Sequence, residues 1–276
     1  MTTATLAFIG GGNMATSLIV GLIQDGYDPA HLIVSEPDGE KRGFLAERYG
    51  ICAIDDNEEA QRRAEVLLLC VKPQVAKTVC LALGKAAPKP APLVISIMAG
   101  IREQDLQGWL GDGRPLVRTM PNTPAMIQAG AIVLHASPEV TPDQRNLAET
   151  ILRAGGLTRW VSEERLLDVV TALSGSGPAY FFLLMEALEK SGIALGLDAE
   201  NARLLSIQTA LGAARMAVES EVPPETLRAR VTSPGGTTEQ ALAVFQAGGF
   251  EQLVQEAVRA AHRRSQELSQ LLGEDS

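Results

Sequence analysis

The stretch TLAFIGGGNMA, residues 5–15, decides the fold. The apolar run TLAFI ends in three glycines and passes at once into a helical pattern, so a strand feeds a helix through a glycine turn. Gly10, Gly12 and Ala15 match G-x-G-x-x-A at that junction. Gly10 permits the tight turn, Gly12 lets a pyrophosphate approach the backbone, and Ala15 lets helix and sheet pack closely. The following helix points its N-terminus at the phosphates. A glycine-rich turn without a ligand is the alternative, and its place in the first βαβ unit argues against it.

Outward from this turn, the second strand ends at Val34-Ser35-Glu36-Pro37, and Glu36 lies 21 residues beyond Ala15. That is the usual place for an acid that binds the adenosine ribose, and taken alone it predicts NAD. Lys41 and Arg42 begin the next helix and offer charge to a 2′-phosphate, so NAD and NADP both stay open. The strand EVLLLCV runs into Cys70-Val71-Lys72-Pro73 at the carboxyl edge, where doubly wound folds bind ligands, and Pro73 starts a helix.

The runs HLIVSE, EVLLLCV, PLVISIM, PLVRTM, AIVLHA and LTRWV alternate with helix-length segments as far as Val161. Strands so spaced predict an α/β, doubly wound, mostly parallel sheet. From Ser162 onward strand signals stop and long helices take over, including residues 202–220 and 250–272. The expected division is a dinucleotide-binding domain over 1–161 and an all-α domain over 162–276. The run 169–185 is read as buried helix and loop, because SGSGP interrupts it and it falls short of the ~20 apolar residues of a membrane span.

The 276 residues carry 46% apolar side chains, enough for a sizeable core, and a net charge of −9 that repels nucleic acid and anionic membranes. Cys52, Cys70 and Cys80 are an odd count without CxxC spacing, which predicts a reducing compartment and no disulfide framework. The start MTTATLAFIGGG lacks the basic head and cleavage site of a signal peptide, so a cytoplasmic location is expected. No metal site is expected. Residues 204–218, LLSIQTALGAARMAV, are apolar or small nearly all round, with Arg215 the single charge. Such a helix must be covered on most faces, and a partner subunit is the expected cover.

The second chemical signal is RVTSPGGTTEQALAVF, residues 230–245. Hydroxyls and glycine backbone stand just before an apolar-periodic helix, whose first N–H groups have no helical partner and suit an anion. A phosphate loop would place a Lys before its Ser/Thr, and none is present. A small carboxylate is the better candidate.

Together IGGGNMA, CVKP, MAG at 98–100, MPNTP at 120–124, LSGSGPAY at 173–180 and SPGGTTEQAL resemble, in this order and spacing, the pyrroline-5-carboxylate reductases over essentially the whole chain. The resemblance implies reduction of the cyclic imine 1-pyrroline-5-carboxylate to L-proline by NADPH or NADH, the last step of proline biosynthesis. It implies that Ser233, Gly235, Gly236 and Thr237 cradle the substrate carboxylate, that Thr238 contacts the ring nitrogen as the catalytic residue, and that Glu221 lies near the substrate. Along the cofactor it places Ile9, Gly10, Gly11, Gly12, Asn13, Met14, Ser35, Val71, Lys72, Pro73, Met98, Ala99 and Gly100, with Asn57 near the adenosine end. It also implies interlocked helical domains in a homodimer and further assembly of dimers into a ring of five. Many relatives have Ser, or an Asn-Arg pair, where this chain has Glu36, which sets family habit against NADH. His31, His135 and His262 lie outside every motif and are read as structural or surface groups. A β-hydroxyacid dehydrogenase is the enzyme alternative, disfavoured because PAYFFLLMEALEK has no Lys before Lys190, more than two turns past Tyr180. A non-catalytic nucleotide sensor on the same scaffold is the other.

Overall fold

The structure, a computed structural model, describes residues 4–274. By compactness the chain divides into two units, Met1–Ser176 together with Ala261–Ser276, and Gly177–Ala260. The first is built on one sheet, with strands β1 (Leu6–Ile9), β2 (Leu32–Ser35), β3 (Cys52–Ile54), β4 (Val66–Leu69), β5 (Leu93–Ser96), β6 (Leu116–Met120), β7 (Gly130–Ala136) and β8 (Gly156–Trp160). Their spatial order is β3-β2-β1-β4-β5-β6-β7-β8, parallel throughout except that β7 runs antiparallel to β6. The order reverses between β1 and β4, the switch point where doubly wound sheets bind ligands. The helices of this unit are α1 (Asn13–Gln24), α2 (Gly39–Tyr49), α3 (Asn57–Arg63), α4 (Pro73–Lys85), α5 (Glu103–Leu110), α6 (Pro142–Arg153) and α7 (Leu166–Val170).

Strands β1, β2, β4 and β5 read as apolar runs because both of their faces are covered. Leu6 and Phe8 of β1 pack with Leu18, Ile19 and Leu22 of α1 and with Ile151 and Leu152 of α6, all buried. The alternate residues Ala7 and Ile9 pack on the other face with Ala76, Cys80 and Leu83 of α4 and Leu106 and Trp109 of α5. The two-residue period of the strand thus divides one short sequence between two cores.

The second unit holds α8 (Gly177–Ala194), α9 (Ala199–Glu219), α10 (Pro224–Arg230), α11 (Thr237–Ala247) and the first part of α12 (Phe250–Glu274). In α9, Leu204, Leu205, Leu211 and Met216 are each at least half exposed, and in α8 so are Phe181, Phe182 and Leu183. A single protomer leaves this apolar surface bare.

The structure corrects the reading of residues 169–185 as buried helix and loop. Helix runs through SGSGP by way of a π turn at Thr171–Gly175, giving one apolar helical stretch, Leu166–Ala194, with 17% of its most apolar window buried. By length and composition alone that stretch is sufficient to cross a membrane. Glycine and serine signal a loop only where backbone partners are lacking, and here a side chain supplies one, as described below.

Candidate functional site

The glycine turn closes as its sequence requires. Gly10 has φ +95°, open to glycine and strained for other residues, and a Cβ there would lie 3.0 Å from the Cys70 carbonyl. Gly12 differs: its φ is −66°, and a Cβ would meet nothing within 4 Å. The space above Gly12 is a cradle that a ligand can fill. Gly12 is also the N-cap of α1 and offers no side-chain cap, whereas Asp38, Asp56 and Thr141 cap α2, α3 and α6 with side-chain oxygens. The uncapped N–H groups of α1 therefore suit a phosphate.

At the end of β2, Glu36 is 8% exposed. Its Oε2 accepts from Gly11 N at 2.9 Å, its Oε1 accepts from Asp38 N at 3.2 Å, and Lys41 Nζ lies 3.2 Å from Oε2. Burial pushes the Glu36 pKa up, but the two backbone donors and Lys41 together hold it below the ordinary carboxylate value. Ser35, buried more completely still, donates its hydroxyl to Asn57 Oδ1 at 2.7 Å. Arg42 is engaged locally, with Nη1 donating to the Glu36 carbonyl at 2.9 Å and Nη2 lying 3.4 Å from Asp55. The remaining cofactor candidates stand at the carboxyl edge: Val71, Lys72 and Pro73 follow β4, and Met98, Ala99 and Gly100 follow β5. Met98 is buried and Lys72 exposed. The structure thus gathers Ile9 to Met14, Ser35, Glu36, Asn57, 71–73 and 98–100 on one edge of one sheet.

The substrate candidates lie on the second unit. Ser233 O accepts from Gly236 N at 3.0 Å, Gly235 has φ +71°, and Gly236 is the N-cap of α11 without a side-chain cap. Thr237 and Thr238 open α11, and Glu221 sits exposed just before α10. Sequence reading missed Glu239, whose Oε2 accepts from Gly235 N at 2.7 Å. As the third residue of α11 it stands where an acidic side chain reaches back to backbone N–H groups ahead of the helix, and that was the available signal. Glu239 thus occupies one N–H of this loop.

Asn122 lies in the MPNTP motif, whose sequence alone points to no role for it. Its Nδ2 donates to Ser174 O at 3.0 Å and its Oδ1 accepts from Ala131 N at 2.9 Å. Among the described residues, no group of three or more His, Cys, Asp or Glu side chains is placed to hold a metal ion.

A pyrroline-5-carboxylate reductase of Pseudomonas aeruginosa is 51% identical over 274 residues, 99% of this chain and 100% of that protein. The chain belongs to the pyrroline-5-carboxylate reductase family. A family model described as pyrroline-5-carboxylate reductase dimerisation matches residues 164–268, and one described as NADP oxidoreductase coenzyme F420-dependent matches 5–100. The reductase structure from Coxiella burnetii is 47% identical with a TM-score of 0.94, covering 97% of this chain and 99% of that one. The Plasmodium falciparum pyrroline carboxylate reductase solved with NADP bound is 27% identical with a TM-score of 0.85, covering 98% and 99%. Within this reductase family, the dimerisation match spans the bare apolar faces of α8 and α9. The hydroxyacid-dehydrogenase alternative is not favoured, because relatives matched over nearly the whole chain are pyrroline-5-carboxylate reductases.

Proposed function

We propose that this protein reduces 1-pyrroline-5-carboxylate to L-proline with NAD(P)H, completing proline biosynthesis in the cytoplasm. The observation that carries the reading is the entry to α11. Ser233, Gly235, Gly236 and Thr237 precede or open a helix with no side-chain cap, in a member of this reductase family. The first N–H groups of α11, from Thr237 on, hold the substrate carboxylate, since Gly235 N is taken by Glu239 and Gly236 N by the Ser233 carbonyl. The division of labour is a dinucleotide-binding domain over 1–161 and a helical substrate-binding and dimerisation domain over 162–276.

The cofactor fits the first unit: the open cradle at Gly12 and the bare N-terminus of α1 take the pyrophosphate, and Glu36 with Asn57 takes the adenosine end. When bound, NAD(P)H supplies a hydride from C4 of its nicotinamide. The protonated imine is already electrophilic, so the chain's own task is to orient the imine carbon and balance the charges. The Thr238 hydroxyl accepts from the ring N–H, and Glu221 lies near the same cation. The electron pair of the hydride would form the new C–H bond, the C=N π pair becomes the nitrogen lone pair, and the ring nitrogen keeps its proton in the product amine.

Thr238→Ala should lower kcat/KM for the imine by about 1.5–3 kcal/mol of transition-state binding, one hydrogen bond to a charged group, while NAD(P)H affinity holds. Steady-state NAD(P)H oxidation with pyrroline-5-carboxylate checks both this and the activity itself. Unchanged kcat/KM in the variant removes Thr238 from the mechanism.

The bare faces of α8 and α9 pair with a second copy, and dimers assemble further into a ring of five. A second copy accounts for the apolar stretch Leu166–Ala194 without a membrane, because the dimerisation match includes it. Leu205→Glu with Leu211→Glu should leave the protein monomeric or unfolded, since each buried unpaired carboxylate costs several kcal/mol on the order of a broken buried ion pair. Light scattering that finds the wild-type oligomer intact in the double variant would place the interface elsewhere.

A further inference from the structure

The π turn at Thr171–Gly175 has its cause in the sequence. In an α-helix the carbonyl of Ser174 accepts from the N–H of residue 178, but residue 178 is proline, which has no N–H and whose ring crowds that carbonyl. The helix widens instead, with Ser176 N donating to Thr171 O, five residues back, at 2.8 Å. Such insertions concentrate at functional sites.

Asn122 supplies the missing donor. Through Nδ2 on Ser174 O and Oδ1 on Ala131 N, one carboxamide ties the loop after β6, the start of β7 and the π turn. Met120 adds a packing contact, since a Cβ on Gly175 would lie 2.6 Å from Met120 Cε. Asn122 stands two residues beyond the end of β6, past the carboxyl edge on the β4-β5-β6 half of the sheet. In a doubly wound fold with adenine over β2, that half receives the nicotinamide.

We propose that Asn122 is a positioning residue for hydride transfer: by standing in for the N–H that Pro178 lacks, it fixes the π turn beside the nicotinamide end of the carboxyl edge. This rests on the reductase reading above, and Asn122 acts through the turn rather than on the reacting atoms.

Asn122→Asp is the informative variant. It keeps the acceptor that Ala131 N–H uses, and when ionised it has no donor for Ser174 O. When protonated it regains one. Above neutral pH its kcat should be at least about tenfold below wild type, while NAD(P)H affinity measured without imine stays within about threefold. As pH falls and the new carboxyl takes up its proton, kcat should climb back toward wild type. Asn122→Ala, with neither donor nor acceptor, should show the loss without the recovery. In protein free of cofactor and imine, amide exchange should quicken across residues 171–181 in Asn122→Asp and not across α1. Wild-type kcat in Asn122→Asp above neutral pH, a deficit that Asp and Ala share equally at every pH, or unaltered exchange across 171–181 would overturn the proposal. A wild type that leaves pyrroline-5-carboxylate unreduced overturns the parent reading instead, and the exchange comparison still reports on Asn122.

Discussion

Gly12→Val should give a folded protein that no longer binds NAD(P)H measurably. The backbone at Gly12 has φ −66°, which any residue adopts, and a Cβ there meets nothing within 4 Å. The fold therefore loses little. A valine side chain nonetheless fills the cradle through which a pyrophosphate reaches the first N–H groups of α1. Losing two hydrogen bonds to a charged group removes at least about 3 kcal/mol, more than a hundredfold in affinity. Gly10→Val makes the contrasting case, because φ +95° and the Cys70 carbonyl at 3.0 Å from its Cβ put the damage in the fold. Calorimetry with NAD(P)H and thermal unfolding by circular dichroism separate the two. Wild-type affinity in Gly12→Val would contradict the assigned cofactor turn.

That contrast also shows how far the sequence carried. Gly10, Gly12 and Glu36 were legible because each is fixed by local spacing from one strand-to-helix junction. Seven of the eight strands were legible, β1, β2, β4 and β5 as apolar runs buried on both faces and the others as β-rich runs spaced by helix-length segments. The strand missed, β3, is three half-buried residues at the sheet edge, Cys52–Ile54, too short and too exposed to print a pattern. SGSGP reads as a loop from composition, and the carboxamide of Asn122 that partners the Ser174 carbonyl there lies 52 residues away in the chain. Residues 204–218 were legible as a helix in need of cover, but the cover itself lies outside a single chain. Local chemistry is written locally, while partners supplied from far along the chain or from another copy are not.

The second large effect concerns Glu36, where spacing and family habit disagree. Its carboxylate is 8% exposed and held by Gly11 N, Asp38 N and Lys41. Burial works against ionisation, yet these donors keep its pKa below the ordinary value, so the group is an anion at neutral pH and remains one into mild acid. A 2′-phosphate brought to this edge meets that negative charge in a poorly solvated place. The two cations that sequence reading offered it are both engaged: Lys41 by Glu36 itself, and Arg42 by the Glu36 carbonyl and Asp55. NADH should therefore be the better cofactor, with its adenosine ribose donating to the carboxylate. Glu36→Ser removes both the acceptor for the ribose and the repulsion, and it releases Lys41. The ratio of kcat/KM for NADH to that for NADPH should fall by roughly a hundredfold, about 3 kcal/mol, the scale of one charged hydrogen bond lost and one repulsion relieved. The same substitution should show in acid stability. A carboxyl whose pKa is lowered on folding stabilises the native state above its unfolded pKa, and that share fades as pH falls through the folded value. The stability gap between wild type and Glu36→Ser should accordingly be widest near neutrality and narrow on the acid side. If Glu36 instead played no part at the ribose, the cofactor ratio would barely move in the variant, and a wild-type enzyme that strongly favours NADPH would overturn the assignment outright.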